Sequence, residues 1–352
     1  MQNFTSNTLA PSSNQSWFQG DGKVHKGRIF YKVFAGGTYN YSFMFVNAID
    51  STYANGSHSY ANIPLDEWNI NSLSIYIAKE LTNNLNEKSK ITLTFNGKKN
   101  KTVIPKEIFY TDTVNLTCEK NDYICLEIEF SGNGKIPYME EMMIPSFLYE
   151  NGKWIESRQT PLCASILCDR PVQKKIGFFG DSITEGIGVA NNSYKWWCSQ
   201  IAELTGEKYS YWDIGIGFGR AQDAASCGSW LEKAKTLDTV TVCFGVNDIC
   251  QGFNEETVKN ALYTVVTELK NAGVRVVLFT VPPFDYNSEK EQIWRNVNAY
   301  IKTELAKMVE VFDTVSIWGD KAPDEHRAIY GGHPNEQGST CLAKVFVKKI
   351  AL

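Results

Sequence analysis

The chain has 352 residues, 43% hydrophobic and 21% charged, an ordinary globular composition with enough apolar mass to bury a sizeable core. Its net charge is −4, and lysine and arginine are scattered, which excludes the basic stripe of a nucleic-acid-binding protein. The longest apolar runs, such as residues 274–281, are strand-length and too short to span a bilayer.

Residues 1–22 are polar, rich in Asn, Ser and Thr, and lack the basic start and apolar core of a secretory signal; they are expected to form a flexible leader. Nine cysteines occur without a Cys-x-x-Cys pair or zinc-type spacing. Most lie in apolar runs, as Cys125, Cys243 and Cys341 do, where free thiols act as small hydrophobes. This usage predicts a reduced, cytoplasmic protein without a metal site.

Residues 23–170 read as an all-β domain. Tyr39, Tyr41, Phe43 and Phe45 alternate with Asn40, Ser42 and Met44. Leu73, Ile75 and Ile77 alternate with Ser72, Ser74 and Tyr76, and Ile124, Leu126, Ile128 and Phe130 with Cys125, Glu127 and Glu129. Period two with one apolar face marks half-buried antiparallel strands. Asn96-Gly97 and Asn151-Gly152 supply hairpin turns that need positive φ. The expectation is a jelly-roll-like sandwich, in which Trp17, Tyr53 and Trp68 are candidates for stacking on sugars.

Beyond Pro161 and Pro171 the pattern changes. In residues 171–352 strands at 175–180, 209–214, 239–244, 274–281 and 309–315 alternate with helical patterns at 193–205, 221–233, 255–272 and 289–308. A last helix runs to 349 from a cap at Asn335. Such alternation implies a three-layer α/β/α domain with a parallel sheet.

Four stretches fall at strand ends or before the last helix: Gly180-Asp181-Ser182, Asp213-Ile214-Gly215-Ile216-Gly217-Phe218-Gly219, Gly245-Val246-Asn247-Asp248 and Gly331-Gly332-His333-Pro334. Together they contain a nucleophile, a base and hydrogen-bond donors for a developing oxyanion, which are the parts acyl transfer needs. Ser182 would attack and His333 would take its proton. The Ser182 amide, a glycine amide after the second strand and the Asn247 side chain would bind the oxyanion. Asp181 and Asp248 are expected to brace the loops that carry Ser182 and Asn247.

On these four blocks the second domain resembles the SGNH/GDSL hydrolases. The resemblance implies a flavodoxin-like fold with Ser182 as nucleophile, His333 as base and Asn247 as oxyanion donor. It aligns the family's oxyanion glycine with Gly219, with Gly217 as the alternative. The family's last block usually reads Asp-x-x-His, whereas Tyr330 stands three residues before His333. Asp320, Asp324 and Glu325 are candidate acids nearby, and Asp285 follows another strand end. Carbohydrate esterases of the family 2 type, with an N-terminal jelly roll and a serine–histidine dyad, are similar in lacking that acid. The resemblance therefore implies a cofactor-independent esterase acting on acetyl esters of a small molecule or oligosaccharide, with no nucleic-acid or membrane partner; a lipid-directed esterase or thioesterase of the same fold, and a carbohydrate-binding protein with a decayed site, are the alternatives.

Overall fold

A computed structural model of the protein describes residues 4–54, 58–161, 165–319 and 330–352. The chain divides into two compact units. The first comprises Met1–Ile49, Ile63–Val172 and Ser210–Trp212, and the second Asp50–Asn62, Gln173–Tyr209 and Asp213–Leu352. Asp50–Asn62, which the sequence pattern places in the β domain, thus belongs to the other unit.

The first unit is built on two antiparallel sheets. One runs Thr5–Ser6, Ser165–Cys168, Gly37–Val46, Ile108–Tyr110, with Val114–Cys118 also on Gly37–Val46. The other runs Ile91–Thr92, Trp68–Ala78, Tyr123–Ser131, His25–Lys32, Ser146–Glu150, Lys153–Glu156. Period-two residues such as Leu73, Ile75, Leu126 and Ile128 are fully buried. The opposite face is partly covered as well, through a cluster of Phe30, Tyr76 and Cys125. Asn96, Gly97, Asn151 and Gly152 all have positive φ, the left-handed pair that a two-residue hairpin requires. Trp68 is buried and donates to Asn47 Oδ1 at 2.9 Å, so it packs in the core and offers no stacking face.

The expected flexible leader of residues 1–22 is corrected: residues 5–15 are buried. Thr5–Ser6 pairs with Ser165–Cys168, and Ser16–Gln19 with Lys135–Tyr138. The Asn7 amide donates to the Ala35 carbonyl and the Tyr41 hydroxyl, both at 2.8 Å, while its oxygen accepts from the Ala35 amide. Asn14 donates to the carbonyls of Val46 and Ala48. Polar side chains can be buried when each finds a partner, and here those partners are distant in sequence.

In the second unit the elements are β1 (Lys174–Gly180), α1 (Ser182–Glu185), α2 (Trp197–Thr205), β2 (Tyr209–Asp213), α3 (Ala221–Ala225), α4 (Ser229–Ala234), β3 (Thr239–Cys243), α5 (Val246–Cys250), α6 (Glu255–Asn271), β4 (Arg275–Phe279), α7 (Ser288–Thr303), β5 (Glu310–Phe312), α8 (Val315–Trp318) and α9 (Glu336–Lys349). The sheet order is β2-β1-β3-β4-β5, with β1, β3, β4 and β5 in parallel register. This is the flavodoxin-like order. Right-handed crossovers then send α2 to one face and α3, α6 and α7 to the other, in keeping with the packing of α2 on α9 and of α6 on α3 and α7. Asn335 caps α9 by accepting the Gly338 amide at 2.9 Å. The single helix expected over 221–233 is instead two, broken at Cys227 (φ +57°) and Gly228.

Among the described residues, no helix is long and apolar enough to cross a membrane. The eight described cysteines are all free.

Candidate active site

In a sheet of this order the strand direction of travel reverses between β1 and β3, opening a crevice at their carboxyl ends. Gly180 at the end of β1 lies beside Cys243 at the end of β3. The chain therefore delivers Ser182 and Asn247 to neighbouring positions at that edge.

Ser182 is the first residue of α1, and its backbone N–H has no acceptor within the helix. The Asp181 carboxylate caps the turn by accepting the Ile183 amide at 3.0 Å. His333 arrives in a short antiparallel pairing of Tyr330–Gly331 with His333–Pro334, directly before α9. Its Nε2 lies 2.8 Å from Ser182 Oγ. Ser182 keeps 9% exposure, so the hydroxyl is packed in place yet still reachable. The Phe284 ring meets the imidazole edge-to-face at 5.5 Å.

The candidate acids Asp320, Asp324 and Glu325 lie outside the described residues. Asp285 is exposed and makes no bond to His333. Among the described residues, the hydrogen bond of His333 is the one to Ser182, and no carboxylate contacts the ring. Burial pushes the imidazole below its ordinary pKa, which keeps it neutral and able to accept a proton near pH 7.

The loop after β2 differs from expectation. The Ile216 carbonyl accepts the Gly219 amide at 3.1 Å, closing a four-residue turn. Phe218 occupies its third position with φ +60°, where a type II turn demands positive φ. The Gly219 amide, the expected oxyanion donor, is thus taken up inside the turn. Gly219 serves through its carbonyl, which accepts from Asn247 Nδ2 at 3.0 Å. That bond orients the Asn247 amide and uses one of its two N–H groups. Gly217, the alternative donor, lies in the same turn.

Asp181 and Asp248 bear on backbone, as expected for bracing. Asp248 accepts the Ala221 and Gln222 amides at 2.9 and 3.2 Å, tying the start of α3 to α5. Asp213 accepts the Gly215 amide and the Trp196 indole. Burial pushes Asp181 and Asp213 up to about 8 and Asp248 to about 6. Near pH 7 burial therefore shifts the first two toward the protonated form, and Asp248 less so.

Three tryptophans fix the loops from below. Trp197 donates to the Ile183 carbonyl at 2.8 Å, Trp230 to the Ile214 carbonyl at 2.7 Å, and Trp196 to Asp213 at 2.9 Å. All three are buried. Hydropathy pattern does not reveal these indole bonds to the site loops. Gly215 of the glycine motif after β2 has a packing role: a β-carbon there would fall 2.3 Å from the Glu185 amide nitrogen, so only glycine lets the two loops meet.

Among the described residues, no cluster of His, Cys, Asp and Glu side chains is placed to hold a metal ion.

Residues 178–340 match the sequence model of the GDSL-like Lipase/Acylhydrolase family. No curated protein matches the sequence. Similar solved structures include a member of the lipolytic protein G-D-S-L family from Veillonella parvula, at 22% identity and TM-score 0.43, covering 50% of this chain and 97% of the other. A mutant acetyl-xylooligosaccharide esterase from Geobacillus Stearmophilus aligns at 19% identity and TM-score 0.41, covering 52% and 96%. A Bacillus subtilis protein aligns at 15% identity and TM-score 0.41, covering 91% and 79%.

Proposed function

We propose that this chain, with its GDSL-like hydrolase domain, is a serine esterase that removes small acyl groups, acetyl above all, from carbohydrate esters. The observation that carries the reading is the 2.8 Å contact between Ser182 Oγ and His333 Nε2, within the reach a nucleophile and its base require.

In the proposed reaction His333 accepts the Ser182 proton as Oγ attacks the ester carbonyl. The Ser182 amide and the second N–H of Asn247 donate to the tetrahedral oxyanion; each such donor contributes about 3 kcal/mol in comparable sites. His333 then protonates the departing alcohol. Water, deprotonated by the same imidazole, releases the acid from the acyl-enzyme.

The acetyl-carbohydrate preference has its own support. It rests on Tyr330, which stands three residues before His333 where the resembled family usually carries an acid, and on the antiparallel unit that precedes the hydrolase domain. Both are in keeping with the two-domain, dyad-type carbohydrate esterases that the sequence resembles.

The test is hydrolysis of 4-nitrophenyl esters from acetyl to octanoyl by wild type, Ser182→Ala and His333→Ala, followed by acetylated oligosaccharides. The reading expects activity that declines beyond short chains and drops at least about 10³-fold in both variants. A preference for octanoyl would shift the substrate to lipids or thioesters. Activity indifferent to Ser182→Ala would remove the assignment.

A further inference from the structure

The segment Asp50–Asn62 lies between strands of the antiparallel unit in sequence but belongs to the α/β unit in space. Its backbone forms a small hairpin in which Thr52–Ala54 pairs with His58–Tyr60. Three of its side chains tie it down. Asp50 accepts from Ser229 Oγ at 2.5 Å and Lys233 Nζ at 3.0 Å, both on α4. Asn62 donates to Ser226 Oγ at 2.6 Å and sits against Gly228, where a β-carbon would fall 1.4 Å from its Oδ1. The break between α3 and α4 is thus the seat of this strap.

The third contact reaches the catalytic machinery. Ser51, fully buried, donates its hydroxyl to Asp223 Oδ2 at 2.6 Å. The same carboxylate accepts the Arg220 amide at 3.3 Å and grips the Arg220 guanidinium at 3.0 and 2.7 Å. Arg220 directly follows Gly219, whose carbonyl orients the Asn247 amide. Residues 219–222 are accordingly held from two sides, by Asp223 with Ser51 and by Asp248 with Asn247.

We infer that Ser51 is a positioning residue for the oxyanion site: through Asp223 it fixes the backbone on which the Asn247 amide is aimed. This rests on the serine esterase reading above. A hydroxyl bonded to a buried carboxylate makes a short, charge-assisted bond. Without it Asp223 keeps only the Arg220 bonds and can follow that flexible side chain. A site that must hold an oxyanion donor within about 0.5 Å is sensitive to such a loss. Asp50 plays a different part, since its bonds secure the strap without touching residues 219–223.

The experiment compares wild type, Ser51→Ala, Ser51→Cys and Ser51→Thr on 4-nitrophenyl acetate and on its thionoacetate analogue, together with thermal midpoints. A thiocarbonyl sulfur accepts hydrogen bonds weakly, so the oxo/thiono rate ratio reports how well the oxyanion donors are aimed. Ser51→Ala should lower kcat by about tenfold with KM within twofold, and should shrink the ratio. Ser51→Thr, which keeps the hydroxyl, should restore both. If Ser51→Ala does not fold, Ser51→Cys, close in volume but a poor donor, carries the same test. An unchanged kcat and ratio in a folded Ser51→Ala or Ser51→Cys, with wild type active, would overturn this inference alone. A wild type inactive on every ester would overturn the esterase reading and this inference with it.

Discussion

Gly188 lies directly against His333. A β-carbon at Gly188 would stand 2.9 Å from the His333 β-carbon and 2.8 Å from the Pro334 carbonyl oxygen, and the residue has φ +101°. The loop after α1 thereby leaves room for His333 to reach Ser182. Gly188→Ala should push His333 from Ser182 and lower kcat by about 10–100-fold. Steady-state kinetics beside a circular dichroism spectrum would check this. Wild-type turnover in a normally folded variant would mean that the loop yields instead.

Asn247 is 9% exposed and has one amide hydrogen committed to Gly219. Asn247→Ala should reduce kcat by about 10²–10³-fold and leave KM nearly unchanged, because the lost interaction forms mainly in the transition state. A loss expressed in KM alone would place Asn247 in substrate binding.

The pH–rate profile should show how His333 is held. Burial lowers its pKa, so the base form persists below the ordinary imidazole value of about 6.5. The acid limb of kcat/KM is expected below that value. A limb above it would require an anionic partner on the ring and would argue against a dyad.

Stability should fall as pH rises through neutrality. Asp181 has a folded pKa of about 8, against about 3.9 when unfolded. Between those values the folded state binds more protons than the unfolded one, so unfolding free energy decreases with pH and levels off above about 8. Asp213 acts over the same window and Asp248 up to about 6. Asp181→Asn should flatten the slope of thermal midpoint against pH between 5 and 8. A slope identical to wild type would contradict the protonated assignment.

Asp50 and Lys233 form a buried ion pair at 3.0 Å, with side-chain exposures of 0% and 6%. Lys233→Met strands a buried carboxylate and should cost about 3 kcal/mol in urea unfolding, most of it regained when Asp50→Leu is added. If the double variant is no better than the single one, the strap's place depends on Ser229 and Asn62 more than on charge.

Local pattern carried the reading of this chain wherever a residue's role depends on near neighbours. Period-two runs gave the antiparallel strands, and Asn-Gly pairs gave turns whose positive φ is intrinsic to those residues. Strand–helix alternation gave the parallel sheet. Because strand ends in such a sheet converge on one edge, the blocks around Ser182 and Asn247 were legible as one site before any coordinates.

Partners far apart in sequence were decided only by the tertiary structure. The polar stretch 5–15 reads as a leader because hydropathy does not record that Asn7 meets Ala35 and Tyr41, or that Asn14 meets Val46 and Ala48. The turn that takes up the Gly219 amide depends on Phe218 adopting a conformation that its own side chain disfavours. The bond from Ser51 to Asp223 spans 172 positions and moves a segment from one unit to the other. A composition records how much apolar and polar surface must be buried; only the fold decides which donor meets which acceptor, since hydrogen bonds are short and directional and their partners are chosen by packing.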